Sequence, residues 1–319
     1  SQRAAVALRV GALCAGYGGL ELGLQLAGID TDLVWVAETD KHASAVLDAR
    51  FGVPNLGDLT EIVDPPRVDA ITAGFPCQPV SHAGRRAGID DERWLIRDVV
   101  SVARQAGAQW IFLENVRGLL TANQGDAFGQ VLDALADGGF NARWACVRAD
   151  QSVGACHRRD RWFAVAYASG ERHGGGQDGG EVGCVDCGAE GEASQRQRAR
   201  QVPIHRGATP VAYADSQGLQ GHGEEHQLPE AGGQEAVGWG DYGAAIQRWG
   251  HVIGRVAPAP VVDDKMSSRF VEWMMGLPDG WVTGAGLSRT QELKMLGNGV
   301  VPQQAAAAYG WLLEQTGER

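Results

Sequence analysis

No stretch of the 319-residue sequence holds the roughly 18 to 20 consecutive apolar residues that a membrane-spanning helix requires. The opening "SQRAAVALRVGALCAGYGG" is interrupted by Gly11, Gly16, Gly18 and Gly19 too early for the apolar core of a secretory signal. Both absences predict a cytoplasmic protein without membrane contact. Cysteine is scarce and irregular. The six cysteines, at 14, 77, 146, 156, 184 and 187, lack the spacing of a disulfide framework, which predicts reduced thiols. Positive charge is short as well: a formal net charge of -11 counts against a nucleic-acid partner, because phosphate binding rests on Lys and Arg. Arginines clustered in "HRRDR" (157–161) and "RQRAR" (196–200) weaken that exclusion without removing it.

What is present is an ordinary globular composition, 44% hydrophobic and 21% charged, long enough for one large domain and a smaller one. From Leu8 to about Tyr167, strand-like runs such as "LRVGALC", "TDLVWVAET", "VDAITAG", "QWIFLENV" and "RWFAVAY" alternate with helix-like ones such as "LELGLQLAG", "HASAVLDARF", "LIRDVVSVARQAG" and "FGQVLDALADGGF". That alternation predicts βαβ units and a mostly parallel sheet, with ligands at the carboxyl ends of its strands. Residues 170–250 differ, with 19 glycines in 81 positions and few aliphatic residues, the pattern of a loop-rich region. "VAYASGERHGG" at 165–175 and "VAYADSQGLQGHG" at 211–223 form a faint repeat, too few copies for a solenoid. Regular patterning returns at "SRFVEWMMGLP", and "VPQQAAAAYGWLLEQ" reads as a helix opened by Pro302.

Residues with chemical potential fall at the predicted strand ends. Gly16, Gly18 and Gly19 allow close backbone approach to a ligand at a helix N-terminus. Glu38, about twenty positions on, is placed to accept hydrogen bonds from ribose hydroxyls, and Asp58, at the end of the next predicted strand, from an adenine amino group. The glycine turn lacks the full G-x-G-x-x-G of a pyrophosphate site. A cofactor with adenosine and no phosphate fits better, and S-adenosylmethionine meets that description. Cys77, in "GFPCQPVS", would on its own be a small core side chain. With Glu114 in "FLENV" it suits attack on an electron-poor ring, the thiolate as nucleophile and a protonated carboxyl as donor to a ring nitrogen. Arg159 and Arg161 are spaced to share one face of a strand, for a carbonyl oxygen or a phosphate; a solvated basic edge is the competing use.

Eight stretches, in order "CAGYGGLELGL", "AETD", "GDLTEI", "GFPCQPVSHAGRRAGIDDER", "ENVRGLL", "HRRDRWFAVA", "RFVEWMMGLP" and "LGNGVVPQQ", resemble the motif series of the DNA (cytosine-5) methyltransferases of bacterial or phage type. The resemblance covers about 1–167 and 268–311. It implies a Rossmann-like S-adenosylmethionine-dependent methyltransferase fold of the α/β class. The catalytic and cofactor-binding domain would be 1–168 completed by 290–319, with a smaller loop-rich target-recognition domain over 169–289.

On the same grounds Cys77 adds to C6 of a flipped-out cytosine, Glu114 holds and protonates its N3 edge, Arg159 contacts the base O2 and Arg161 braces Glu114. Gln78, Ser81, Arg85 and Arg86 belong to a loop that closes over DNA, and Arg196, Arg198 and Arg200 reach it from the recognition domain. Glu38 binds the ribose and Asp58 the adenine, with Gly16, Gly18 and Gly19 beside the methionine part. Cys14, Thr39, Leu59, Pro76, Leu95, Asn298 and Val300 complete the cofactor site, whose product is S-adenosyl-L-homocysteine. The implied partners are double-stranded DNA and a cognate restriction endonuclease, the enzyme itself being a monomer. Three departures from the family stand out: Cys14 for a usual Phe, Cys156 and His157 for a common Pro and Gln, and Gly299 for a frequent Ser.

Cys184 and Cys187 with His222 and His226 have the C-x2-C and H-x3-H spacings of a zinc site, but 34 residues separate the pairs and His173 and His205 compete, so no metal is expected. Two other functions remain open on sequence grounds. One is a tRNA cytosine methyltransferase with the same chemistry. The other is a catalytically silent DNA-binding protein, against which intact Cys77, Glu114 and Arg159 argue.

Overall fold

A computed structural model describes residues 7–76, 95–168, 182–184 and 238–316. Along the first half run β1 (Leu8–Leu13), α1 (Gly19–Leu26), β2 (Thr31–Ala37), α2 (Lys41–Phe51), β3 (Ala70–Ala73), α3 (Ile96–Ala106), β4 (Trp110–Val116), α4 (Asp126–Asp137), β5 (Phe140–Arg148), the single turn α5 (Ala149–Ser152) and β6 (Asp160–Ala168). After β7 (Val182–Cys184) come α6 (Gly243–Ile253), the strands β8 (Val261–Val262) and β9 (Lys265–Met266) of a small hairpin, α7 (Ser268–Met274), α8 (Arg289–Asn298) and α9 (Pro302–Thr316).

Among the described residues, seven strands form one sheet in the order β2-β1-β3-β4-β6-β5-β7. All pairings are parallel except the two made by β6. The expected mostly parallel α/β sheet is therefore present, with two strands the periodicity did not mark, β5 and β7. "FNARWACVR" forms β5 although Asn, Arg and Ala are weak strand formers, because Phe140, Ala142 and Trp144 bury into the core. The short connection from β5 to β6 has no crossover helix, so β6 returns antiparallel.

Alternation along the strands sorts the core into two layers. Ile111 and Leu113, with Trp162 and Ala164, face α3 and α4 through Val99, Ala103, Val131 and Leu135. Phe112, Phe163 and Val165 face the other way, onto Leu20 and Leu24 of α1 and Ala305, Tyr309 and Leu312 of α9. Asp40 starts α2 by accepting from the His42 and Ala43 amides, and a Ser288–Gln291 capping box starts α8.

The described part of the expected recognition segment is joined to this core. Ile246, Trp249, Trp273, Leu277 and Val282 form one apolar cluster with Tyr17, Val46, Ala149 and Ala155. Trp249 is fully buried and its indole donates to the Trp273 carbonyl at 3.0 Å. Trp249→Ala is expected to destabilise the whole protein by about 3–5 kcal/mol, as loss of a large core side chain does. In urea titration it should lower the midpoint of a single transition; a separate early transition would show that this segment is an independent unit. No helix among the described residues is long and apolar enough to cross a membrane.

Candidate active site

Three parallel strands run in register to one edge, where β1 and β3 end and β4 continues to Val116. Leu13 of β1 pairs with Ala73 of β3, and Ala73 with Leu113 of β4, so Cys14, Gly74 and Glu114 emerge side by side. A Cβ built on Gly74 would lie 3.7 Å from the Cys14 carbonyl and 3.8 Å from Glu114 Oε2. The chain leaves β3 through Phe75 and Pro76, and the Asn115 side-chain amide donates to the Phe75 carbonyl at 3.0 Å. Asn115 thus holds the bend from which the chain enters Cys77. Cys77, Gln78, Ser81, Arg85, Arg86, Arg196, Arg198 and Arg200 lie outside the described residues, as do Cys187, His222, His226 and all but the backbone of Cys184.

Because β6 runs against its neighbours, it is the start of this strand that reaches the same edge. Arg161 Nε lies 2.9 Å from Glu114 Oε1. Burial outweighs this ion pair and the charge of Arg159, and pushes the Glu114 carboxyl up to about 7. Near neutral pH a substantial fraction of Glu114 therefore carries a proton. Arg159 is bound differently from the expectation. Its guanidinium donates to the carbonyls of Gly299 and, at 3.4 Å, Gly297, and it is Arg161 that lines the cavity beside Glu114. These two bonds use one hydrogen on each terminal nitrogen, and Arg159 Nε has no hydrogen-bond partner among the described residues.

Beside Glu114 the groove divides into two compartments. One, of 570 Å³, is lined by Cys14, Ala37, Glu38, Thr39, Gly57, Asp58, Leu59, Thr60, Pro76 and Leu95. The other, of 790 Å³, shares Cys14, Glu38, Thr39, Pro76 and Leu95 with it and adds Gly16, Gly19, Glu114, Arg161, Asn298 and Val300. Glu38 stands at the end of β2, its two oxygens accepting from the amides of Gly16 and Asp40, each at 2.9 Å. Burial, then the carboxylates of Glu38 and Asp58, push the Cys14 thiol up to about 12, so it contributes a neutral, soft wall. None of the described side chains lining the first compartment is basic. Two carboxylates between apolar Leu59, Pro76 and Leu95 suit hydroxyls and an amine on an apolar ring.

One expectation needs correcting here. Asp58 does not end a strand: the pairing reduces to one bridge between Val36 and Asn55, and Asp58 caps a turn over Leu59–Glu61 by accepting from the Thr60 amide at 2.9 Å. Gly18 lies between Tyr17 and Gly19, both on the cavity wall. It caps α1 in the left-handed region (φ 83°), and a Cβ there would collide with the Phe51 ring. Residues given no role in advance also line the groove, among them Tyr17, Asn115, His42, Gln291 and Lys294. Tyr17 and Asn115 sat inside quoted motifs. His42 and Gln291 meet across 2.9 Å from distant helices, and no local signal marks them.

His157, one of the departures, has both ring nitrogens buried without a hydrogen-bond partner among the described residues, and burial lowers its pKa from 6.5 to about 4. With the folded value below the unfolded one, the unfolded chain binds the extra proton, so stability falls as pH drops from about 6.5 to about 4. The loss should approach at most about 3 kcal/mol. His157→Leu should flatten that slope in urea titrations at pH 7, 5.5 and 4; an unchanged slope would assign it to other groups.

A family model described as C-5 cytosine-specific DNA methylase matches residues 8–181. The chain belongs to this family. Among curated relatives, the type II methyltransferase M.BsuFI of Bacillus subtilis is 37% identical over 158 residues, 49% of this chain and 38% of that protein. M.HgiCI of Herpetosiphon aurantiacus is 40% identical over 128 residues, 39% of this chain and 30% of that protein. These matches span well under half of the relatives' length. The methylase fold extends further than the matched sequence. The crystal structure of the S. pombe Dnmt2 methyltransferase aligns over 97% of this chain and 99% of its own, with a TM-score of 0.57 at 18% identity.

Proposed function

We propose that this methylase-family chain transfers a methyl group from S-adenosylmethionine to C5 of cytosine in double-stranded DNA. One observation carries the proposal: Glu114, buried and held by Arg161 with its pKa at about 7, stands beside the backbone that leads into Cys77 and opens onto the same groove as the compartment of Glu38 and Asp58.

In this scheme Cys77, as thiolate, bonds to C6 of the base while Glu114 gives its proton to N3. Arg161 holds Glu114 and is the better placed of the two arginines to meet the base O2. Arg159 orders the Gly297–Gly299 backbone. Glu38 takes the ribose and Asp58 the adenine amine, with Cys14, Leu59 and Leu95 against the ring. When bound, S-adenosylmethionine supplies the methyl that C5 takes up, leaving S-adenosylhomocysteine. Loss of the C5 proton to a base, cleavage of the C6–S bond and return of the N3 proton to Glu114 then free the enzyme. The cytosine must leave the stack for this chemistry. Residues 169–289 are the proposed recognition region, with Arg196, Arg198 and Arg200 toward DNA and Gln78, Ser81, Arg85 and Arg86 on a closing loop. A monomer working in the cytoplasm, with or without a cognate restriction endonuclease, completes the proposal.

Bisulfite sequencing of DNA from cells expressing the protein tests it. Protected cytosines in one sequence context are expected. Unprotected DNA together with methylated tRNA would move the substrate to RNA, and no product in either would leave a binding protein.

A further inference from the structure

We propose that Tyr17 is a positioning residue, matched to Gly299, that sets how far the terminal segment carrying Asn298 and Val300 stands from the glycine turn of the cofactor groove. This rests on the proposed cofactor use of that groove. The Tyr17 side chain is buried, 1% exposed, and its hydroxyl donates to the Val300 carbonyl at 2.6 Å. A Cβ added at Gly299 would fall within the Tyr17 ring. Glycine at 299 and tyrosine at 17 are therefore one steric solution, and the frequent Ser of the family has no room here.

There is no slack on the neighbouring side either. A Cβ at Gly19 would stand 2.8 Å from the Val300 carbonyl oxygen and 2.9 Å from Tyr17 Cε2. Arg159 also donates to the Gly297 and Gly299 carbonyls. The segment is thus held by a phenol and a guanidinium, and Asn298 and Val300, which line the groove, take their places from that grip. Burial raises the phenol pKa well above its ordinary value, so the hydroxyl remains a donor at any working pH. Trp281 donates to the Tyr17 carbonyl at 2.8 Å and fixes the backbone from which the ring projects.

The test compares wild type with Tyr17→Phe, Gly299→Ser, Tyr17→Ala and the double variant Tyr17→Ala/Gly299→Ser. Titration calorimetry with S-adenosylhomocysteine gives affinity, steady-state assays separate KM for S-adenosylmethionine from kcat, and thermal melts follow folding. Tyr17→Phe, which keeps the ring, should weaken binding about fivefold, the effect of one hydrogen bond, and raise KM with kcat little changed. Gly299→Ser should weaken binding roughly tenfold or more through overpacking, and the double variant should recover to the level of Tyr17→Ala. A Gly299→Ser protein that fails to fold while the double variant folds supports the pairing equally. Wild-type affinity in Gly299→Ser, a double variant no better than Gly299→Ser, or an unchanged KM in Tyr17→Phe overturns it. Wild-type protein that binds neither cofactor form overturns instead the cofactor use on which the positioning role rests.

Discussion

Cys77→Ala abolishes both methyl transfer and covalent capture of DNA carrying 5-fluorocytosine, while S-adenosylhomocysteine still binds. The expectation follows from the proposed chemistry. In that scheme addition of the Cys77 sulfur to C6 is the step that makes C5 electron-rich, and none of the described cysteines substitutes for it. Cys14 lines the groove, but its thiol is pushed up to about 12 by burial and two carboxylates, and it does not ionise at working pH. In the fluorinated base the C5 position bears no proton to lose after methyl uptake, so elimination stops and the C6–S bond persists. Wild-type protein should therefore migrate with DNA on a denaturing gel, and the alanine variant should not. An adduct formed by Cys77→Ala would move the nucleophile elsewhere.

The second large effect belongs to Glu114. Glu114→Gln is expected to lower kcat by about 100- to 10,000-fold, the range for loss of a positioned proton donor. The pH dependence separates this role from mere shape. Donation to N3 needs the protonated carboxyl, whose pKa burial has raised from 4.5 to about 7. Activity should thus fall as pH rises through about 7 in the wild type, and the residual activity of Glu114→Gln should lose that limb. Stability changes in the same direction. A folded pKa above the unfolded one means that the contribution of Glu114 is full below about 4.5 and is lost as pH rises through about 7, so the Gln variant should gain relative stability in alkaline buffer. A wild-type profile still rising at pH 9 would show that the carboxylate, not the acid, is the active form.

Much of this was legible in sequence because the strands β1 to β4 announce themselves. Their apolar runs are nearly continuous, as buried parallel strands require, and each is followed by a turn carrying a glycine or an acid. Glu38 and Glu114 were found at strand ends for that reason. β5 was missed since its burial depends on partners far along the chain rather than on its own composition. The bracing of Glu114 by Arg161 was foreseen, but the anchoring of Arg159 was hidden. Its partners, the Gly297 and Gly299 carbonyls, come more than 130 positions later. The same holds for Tyr17, whose hydroxyl meets a carbonyl 283 residues away. Local pattern reports what a segment buries; it does not report what arrives to fill the remaining space.

The last helix carries one more consequence. Gly23 of α1 has no side chain because Ala305 of α9 presses against it, at 2.7 Å from where a Cβ would sit, and Ala308, Tyr309 and Leu312 close the same layer. The match to the methylase family ends at residue 181, but the protein's folding unit does not. A fragment trimmed to the matched stretch would present an uncovered apolar layer over Leu20, Leu24, Phe112 and Phe163. The beginning and the end of the chain thus act as two halves of a clasp, which makes the enzyme a natural candidate for splitting into pieces that work only when reunited.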